Sequence, residues 1–254
     1  MKIITNGNAK GGVSKTTTTC CLAFLLNQLY GNKVLVIDLD AQNQDHLFFK
    51  DLRSRKLQYS DMEAGEIKIN KGKEVDLITV GYSLLNVDAS KMPDQVVLQL
   101  RDYLKNLSNY DVILIDTPPQ FNYDSLLGYQ LADFINIVTE TSYASYSQIK
   151  DIMSSIKGIK DNTVFSPEVN SITISMKDHT KSDEDIAKKI ESKYSNLVFN
   201  TIIKRRSKIK EFFNFGISQR YADERKAMSK YRSLTVEFHK RYNLASNQII
   251  VKKK

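Results

Sequence analysis

Near its start the chain reads Ala9-Lys10-Gly11-Gly12-Val13-Ser14-Lys15-Thr16, eight mostly small or basic residues around a pair of glycines. Residues 2–5 before this stretch are short and β-branched, which predicts a strand, whereas residues 16–30 carry apolar side chains at helical spacing. A glycine and an asparagine then stop the helix. Residues 33–38 form a continuous apolar run, typical of a parallel strand buried on both faces. The beginning of the chain therefore predicts a right-handed βαβ unit with the glycine-bearing stretch as its first loop.

The remainder of the chain repeats the alternation of strands and helices. Residues 41–74 are polar with little periodicity, so we interpret them as a surface excursion with a helix fragment and a short hairpin near residues 66–77. Helical spacing recurs over residues 87–107, and an amphipathic helix is predicted between residues 221 and 242. Further strands are predicted at residues 75–80, 110–116, 132–138 and 171–175. The pattern predicts an α/β fold, a doubly wound, mostly parallel sheet flanked by helices, in one domain over residues 1–254.

The composition is that of an ordinary globular chain, because 41% of the 254 residues are hydrophobic and 26% are charged. No run approaches the roughly 18 apolar residues of a membrane-spanning helix, and the N-terminus does not open on a secretory segment, so we expect a cytoplasmic protein. Cys20 and Cys21 are the only cysteines, and adjacent cysteines cannot form a metal cage or a disulfide framework. We expect both thiols to face the core.

Charge is distributed unevenly along the chain, whose net charge is +8. Residues 188–254 carry 18 basic and 5 acidic side chains, a net charge of +13, whereas residues 1–187 have a net charge of −5. This asymmetry indicates that the C-terminal quarter binds a polyanion, the alternative being a solvated basic face. The basic residues that we expect to contact nucleic acid are Lys204, Arg205, Arg206, Lys208, Lys210, Arg220, Arg225, Lys226, Lys230 and Arg232.

The glycine-bearing loop matches the phosphate-binding pattern G-x-x-x-x-G-K-[ST], apart from Ala9 and Ser14 at the two glycine positions. In such a loop, backbone N–H groups at a helix N-terminus surround phosphate oxygens. Lys15 would neutralise the phosphates, and the Thr16 hydroxyl would coordinate Mg²⁺. A chance glycine-bearing turn is the alternative, but the strand before the loop and the helix after it argue against that interpretation.

The second lysine, just ahead of the paired glycines, resembles the deviant Walker A motif of ParA- and MinD-type P-loop ATPases. The resemblance implies ATP and Mg²⁺ as cofactors and a homodimer that closes around the nucleotides. Lys10 would be the signature lysine that reaches across this dimer to the partner's phosphates, as an arginine finger delivered in trans does. The resemblance assigns nucleotide contacts to Lys10, Gly11, Gly12, Val13, Ser14, Lys15, Thr16 and Thr17.

Three carboxylates extend the resemblance. Residues 38–42 read Asp-Leu-Asp-Ala-Gln, similar to the family's D-x-D-P-Q segment with alanine in place of proline. By resemblance Asp40 would orient the attacking water and Asp38 would lie near the Mg²⁺ shell, whereas the pair alone is typical of a solvated strand end. Asp116 ends a second apolar run and fits a Walker B acid that holds Mg²⁺ through water. The Thr-Pro-Pro of residues 117–119 matches the family's next switch segment.

Of the expected parts of the site, the residues that would contact adenine match the family least well. Residues 200–205 read Asn-Thr-Ile-Ile-Lys-Arg, where ParA-like proteins commonly have proline and then arginine at the last two positions. Lys204 replaces the proline, and Arg205 keeps the arginine. By resemblance Met176, Ile203 and Arg205 would contact the nucleotide, although a methionine after a buried strand is more often a core filler.

Three functions are compatible with these motifs. The first is a ParA-type DNA partition ATPase, whose ATP-bound homodimer binds DNA nonspecifically at the nucleoid and is released when a ParB-like centromere-binding protein stimulates hydrolysis. The second is a MinD-like ATPase that cycles on and off a membrane or positions a protein cargo. The third is a metabolic P-loop enzyme that phosphorylates or amidates a small molecule.

The charge pattern and the tail favour the first function. A small-molecule enzyme does not need so basic a C-terminal quarter, whereas counterion release makes that charge useful on DNA. Residues 243–254 offer one β-branched triplet and then three lysines, too little for the membrane helix of a MinD-like protein, so we expect no stable membrane association. We expect no helix-turn-helix ahead of the first strand at Lys2, so DNA binding should depend on phosphates rather than on bases.

Overall fold

The computed structural model describes residues 1–40, 42, 44–52, 56–57, 67–80, 94–119, 123–178 and 180–247. The strands in these ranges are β1 (Lys2–Gly7), β2 (Val34–Asp38), β3 (Lys56–Leu57), β4 (Asp76–Val80), β5 (Val112–Asp116), β6 (Phe134–Glu140) and β7 (Glu168–Ser175). The α-helices in the same ranges are α1 (Lys15–Tyr30), α2 (Asp94–Lys105), α3 (Tyr123–Leu131), α4 (Tyr143–Asn162), α5 (Lys181–Lys193), α6 (Ser207–Phe215) and α7 (Ala222–Arg241). A 3₁₀ helix at Asp45–Phe48 follows β2.

The strands form one seven-stranded sheet in the order β3-β4-β2-β5-β1-β6-β7, and the strand pairs in it are parallel. This confirms the predicted doubly wound sheet. From β1 the chain crosses through α1 to β2 on one side, whereas from β5 it crosses through α3 to β6 on the other side. Connections therefore leave the neighbouring strands β1 and β5 in opposite directions, which opens a crevice beyond their carboxyl ends.

Each central strand divides its side chains between two apolar cores, one on each face of the sheet. In β5, Ile113 packs in the core formed with α2 to α5, whereas Leu114 packs in the core formed with α1, α6 and α7. A strand buried on both faces needs apolar residues at successive positions, which explains the continuous apolar runs of β2 and β5. Both cysteines lie in the second core as predicted, where Cys21 Sγ is 3.8 Å from Met228 Sδ of α7.

The stretch that follows β2 differs from its predicted place on the surface. Phe48, Phe49 and Leu52 are buried in the core that α1 shares with α6 and α7. For Phe48, Phe49 and Leu52 the prediction of a place on the surface is therefore wrong, whereas Leu47, Lys50 and Asp51 are exposed as predicted. The apolar side chains here follow a 3₁₀ turn and a loop, so neither the helical nor the strand period marks them in the sequence.

Elsewhere the elements agree with the predictions where the structure describes them. Reciprocal backbone hydrogen bonds of 2.9 Å between Asn70 and Leu77 confirm the hairpin predicted near residues 66–77. The helix predicted at residues 87–107 is present as α2, and its first predicted turns lie outside the described residues. The other predicted stretches outside the described residues are residues 41, 43, 53–55 and 58–66 of the surface excursion and the tail from residue 248. Within the described ranges, none of the helices is both long and apolar enough to cross a lipid bilayer.

Candidate functional site

The loop between β1 and α1 contains two residues in the left-handed region of backbone conformation. Gly12 has φ +77°, where a side chain would be strained. Ser14, immediately before α1, has φ +68° although it is not glycine. Its hydroxyl donates to Ser175 Oγ at 2.8 Å, and Ser175 Oγ donates to the Val13 carbonyl at 2.7 Å. These hydrogen bonds hold the loop against the end of β7, and the first residues of α1 line the crevice.

Lys15 begins α1 and is nearly buried, with 6% of its surface exposed. Its Nζ donates to the Lys10 carbonyl at 3.0 Å, which holds the side chain back over the loop. Burial lowers the pKa of Lys15, although the carboxylates of Asp116 and Asp40 favour its charged form. An ammonium group has three donors, so Lys15 can donate to further oxygens in the crevice. This arrangement suits an anionic ligand.

Asp38 and Asp116, the two acids predicted beside Mg²⁺, are directly paired in the register of β2 and β5. Asp116 Oδ2 accepts a hydrogen bond from Thr16 Oγ1 at 2.5 Å, and Asp116 Oδ1 accepts one from Thr19 Oγ1 at 3.2 Å. Burial raises the pKa of Asp116 to about 7 and also raises the pKa of Asp38. The Thr16 hydroxyl and these carboxylates are hard oxygen ligands, so the residues present fit Mg²⁺.

Asp40 lies at the edge of the crevice and is half-buried. Its backbone N–H donates to Asp38 Oδ1 at 2.9 Å, and its own Oδ1 accepts a hydrogen bond from the Gln42 N–H at 3.0 Å. The chain after β2 therefore turns around the Asp38 carboxylate and presents Asp40 to the crevice. A residue that orients water beside a bound phosphate needs such a position, and this role of Asp40 stays a prediction.

Lys10 is held by contacts within its own chain. Its Nζ forms an ion pair with Glu140 at the end of β6 and donates to Ser142 Oγ at 3.1 Å. Its backbone N–H donates to Asn8 Oδ1 at 2.9 Å. A role across a dimer requires the Lys10 side chain to leave Glu140 and adopt another rotamer. That role stays a prediction.

One pocket of about 410 Å³ brings together most of the predicted nucleotide contacts. The predicted residues that line it are Gly11, Gly12, Ser14, Lys15, Thr16, Thr17, Asp40, Met176, Ile203 and Arg205. Val13 and Asp38 are wholly buried behind this lining, so their side chains do not face the pocket. Lys10 is also absent from the lining formed by the described residues, because its side chain points towards β6.

Three apolar side chains of the same pocket were not identified from the sequence. Ile209 and Phe213 of α6 and Tyr231 of α7 line the pocket, as Met176 does. Such surfaces suit the flat, largely apolar face of a nucleobase. The signal in the sequence was the spacing of Ile209, Phe212 and Phe213, which is helical. Because basic residues surround these positions, the segment was predicted to be a charged surface and not the wall of a pocket.

Asp45 is a further acid at this site that the sequence did not single out. Its backbone N–H donates to Asp38 Oδ2 at 3.3 Å, and its carboxyl group is wholly buried behind the pocket. Burial raises the pKa of Asp45, and the neighbouring carboxylates of Asp38 and Asp116 raise it further. An aspartate in a segment without periodic pattern gives no signal of burial, so sequence analysis alone could not place it.

The predicted nucleic-acid surface adjoins the nucleotide pocket. The basic residues that line the pocket itself are Lys204, Arg205, Arg206 and Lys210. On the outer side of α7, Lys226 and Lys230 are exposed to solvent, as is Arg220 in the loop before this helix. The structure thus brings two parts of the basic C-terminal quarter onto the side of the sheet that α6 and α7 cover.

Among the predicted DNA contacts, Lys208 and Arg225 are engaged inside the chain, as are Arg205, which pairs with Asp178 at 3.1 Å, and Arg232, which donates to Gln28 and Gln219 oxygens at 3.3 and 3.4 Å. Lys208 Nζ lies 2.8 Å from a Glu211 oxygen and 3.1 Å from an Asp223 oxygen, which ties α6 to the start of α7. Arg225 donates to two backbone carbonyls of the preceding loop at 3.0 and 2.6 Å. Lys208 and Arg225 therefore stabilise the fold in addition to any contact with a polyanion.

The phosphate-binding loop lies at the point where the doubly wound sheet reverses, and a strand-end acid contacts the loop's threonine. Together these features define the class of P-loop nucleotide hydrolases. The sequence profile of the AAA domain family matches residues 1–172, and the chain belongs to this family. The chromosome-partitioning ATPase Soj of Treponema pallidum is 29% identical over 222 residues, which cover 83% of this chain and 85% of Soj. The resemblance to ParA-type ATPases is thereby confirmed.

Solved structures share the fold at low sequence identity. An ATP complex of McdA from Cyanothece matches with a TM-score of 0.79 at 18% identity, over 98% of each chain. Cobyrinic acid a,c-diamide synthase from Mycobacterium smegmatis, with a bound ATP analogue and magnesium, matches with a TM-score of 0.75 at 18% identity, over 98% of this chain and 100% of the synthase. One architecture thus occurs in proteins with different names, so the function must be argued from residues.

Proposed function

We propose that this protein is an ATP-dependent DNA partition ATPase. ATP and Mg²⁺ close two copies into a sandwich dimer, the dimer binds DNA nonspecifically at the nucleoid, and hydrolysis releases it. A ParB-like, centromere-binding protein stimulates the hydrolysis. Soj, the relative with 29% identity, is a chromosome-partitioning ATPase, which supports this proposal over a small-molecule enzyme.

The observation that carries the proposal is the shared lining of the pocket. The phosphate-binding loop contributes one wall, and the basic residues at 204–206 and 210 contribute the other. A nucleotide bound here lies against the same segment that we expect to contact DNA. Contacts between the nucleotide and this segment would therefore couple the nucleotide state to the affinity for DNA.

The catalytic roles follow from the positions of four residues around the pocket. Lys15 would bind the phosphates, and Thr16 would hold Mg²⁺ with help from Asp116, whose carboxylate it already contacts. Asp40 would orient the attacking water from the pocket edge. Magnesium supplies charge neutralisation at the phosphates when it is bound. The slow step without a partner would be the delivery of Lys10 from a second chain.

DNA binding should depend on the dimer because one chain offers few free cations. Affinity falls with salt roughly as the power −0.9Z for Z phosphate contacts, so doubling Z in a two-fold dimer strengthens binding and steepens its salt dependence. Lys226 and Lys230 are the best residues to test, since both are exposed and they are one helical turn apart. Arg225 is a poor choice because its guanidinium holds the preceding loop.

The experiment measures binding of two unrelated DNA duplexes at several salt concentrations, with an ATP analogue and with ADP. We expect a steeper salt slope with the ATP analogue and no preference between duplexes. The K226A/K230A double variant should reduce the magnitude of that slope while it retains nucleotide binding. The control is K188A/K189A, which removes two exposed lysines from α5 on the opposite face of the sheet.

Other outcomes would contradict the proposal. Equal salt slopes in both nucleotide states, or a strong preference for one duplex, would exclude a nucleotide-switched, nonspecific DNA binder. ATP-dependent binding to anionic vesicles without binding to DNA would favour the MinD-like alternative.

The K15A variant should lose both ATP binding and DNA binding, because the loop then lacks the ammonium group nearest the phosphates.

A further inference from the structure

Three buried carboxylates lie together behind the floor of the nucleotide pocket. Asp38 ends β2, Asp116 ends β5, and Asp45 opens the 3₁₀ helix that follows β2. One oxygen from each lies within 4.8 Å of an oxygen from the other two. All three side chains are fully removed from solvent. The first two belong to the phosphate-site machinery described above, whereas Asp45 has no role in it.

The hydrogen bonds around this group leave Asp45 without strong donors. Asp116 accepts from Thr16 and Thr19, and Asp38 accepts from two backbone N–H groups. By contrast, neither carboxylate oxygen of Asp45 has a hydrogen-bond partner among the described residues. The Cys20 thiol, a weak donor, is the group that favours the charged form of Asp45. A buried carboxylate in this condition is costly unless something else meets its oxygens.

The geometry suits a metal ion at that place. Mg²⁺ and Mn²⁺ bind carboxylate oxygens at about 2.1 Å and Ca²⁺ at about 2.4 Å, so two ligands of one ion lie at most about 4–5 Å apart. The three oxygens lie within 4.8 Å of one another, which equals the limit for Ca²⁺ and exceeds the limit of about 4.2 Å for Mg²⁺ or Mn²⁺, so small side-chain shifts would bring them onto the smaller ions.

We propose that Asp38, Asp45 and Asp116 directly bind one divalent cation of the Mg²⁺ type in the absence of nucleotide. This site differs from the Mg²⁺ that ATP would bring to Thr16, because Asp45 supplies a ligand from behind the pocket and no phosphate oxygen is needed. The proposal does not depend on DNA partition, since a chain that binds no DNA could hold the same ion.

The test counts Mn²⁺ bound to the nucleotide-free protein by electron paramagnetic resonance, with Mg²⁺ as competitor. We expect one Mn²⁺ per chain, displaced by Mg²⁺. The D45N variant keeps the shape of the side chain and removes its charge, so it should weaken Mn²⁺ binding by about tenfold or more.

Two controls separate the ion from folding and from surface charge. Circular dichroism verifies that each variant is folded, and D161N removes an exposed carboxylate of α4 that pairs with Lys157. Absence of Mn²⁺ binding to the wild-type protein at millimolar concentration overturns the proposal, whether or not D45N folds. Equal binding in D45N and wild type places the ion elsewhere and also overturns it.

Discussion

Ser14 shows at the scale of one residue how this loop departs from a glycine-rich pattern. Its φ of +68° is a conformation that costs a non-glycine residue roughly 1–2 kcal/mol. The hydrogen bond from its hydroxyl to Ser175 Oγ returns about 1 kcal/mol, so the two effects nearly cancel. The loop therefore keeps its shape without glycine at this position, which the sequence alone could not show.

Substitutions at Ser14 should separate backbone strain from the hydrogen bond. Ser14→Ala keeps the strain and loses the bond, so the free energy of unfolding should fall by about 1 kcal/mol. Ser14→Gly loses the bond but relieves the strain, so it should be more stable than the alanine variant. Urea unfolding measures both. A glycine variant less stable than the alanine variant would contradict this account.

The buried carboxyl of Asp116 should make stability depend on pH. Its pKa in the fold is about 7, well above the usual range near 4, so the folded state holds a proton that the unfolded state has lost between these values. Without cations or nucleotide, stability should therefore fall as pH rises from about 4 to about 7, by up to about 1.4 kcal/mol per pH unit for this group.

The Asp116→Asn variant isolates this contribution, because the amide cannot ionise. Its free energy of unfolding relative to the wild type should rise over the same pH interval, measured by chemical denaturation in the presence of a chelator. A difference between the two proteins that stays constant from pH 4 to pH 7 would show that Asp116 is ionised throughout.

At the scale of elements, burial on two faces made the central strands predictable. The runs that became β2 and β5 are apolar at successive positions, and each ends in an aspartate that marks the carboxyl edge of the sheet. The same rule failed for the 3₁₀ helix at Asp45–Phe48, because its side chains enter the core from an irregular segment. Helix α6 was not predicted, because basic residues separate its apolar positions in the sequence.

Helix α7 has two faces with opposite tasks, and single substitutions should distinguish them. Leu234 is wholly buried in the core that α7 shares with α1, so Leu234→Ala should lower the free energy of unfolding by roughly 2–5 kcal/mol. Lys230 is exposed on the other face, and Lys230→Ala should change the free energy of unfolding by no more than about 0.5 kcal/mol. Thermal or chemical unfolding measures both values. Similar losses in the two variants would mean that the charged face also packs.

At the scale of the whole molecule, the site combines residues that the sequence identified with residues it could not. The phosphate side is local, since the loop and the start of α1 are contiguous, and the motif therefore predicted it well. The opposite wall comes from α6, α7 and the end of β7. Only the folded sheet brings these segments to the loop, so no spacing in the sequence reports their contact.

The ion pair between Lys10 and Glu140 should oppose assembly of a dimer that uses Lys10 in trans. Glu140→Gln removes the charge that holds Lys10, and a partly exposed pair is worth up to about 1 kcal/mol. Both copies of this pair are released in a symmetric dimer, so with an ATP analogue the variant should dimerise at roughly two- to thirtyfold lower protein concentration, measured by sedimentation. Glu184→Gln, an exposed glutamate of α5, is the control. Unchanged or weaker dimerisation of Glu140→Gln would show that Lys10 acts elsewhere.

The central position of β1 has a consequence for how the chain is made. β1 leaves the ribosome before both of its neighbours, β5 and β6, and the Ile3 N–H bonds to Asp133, 130 residues away. Until β5 has been synthesised, this apolar strand has no partner on either side, and until β6 follows it is paired on one side at most; pairings over such distances form slowly. The last wall of the pocket needs α6 and α7 as well. A growing chain therefore depends on protection from aggregation for most of its synthesis, and it gains the ability to bind nucleotide only near the end.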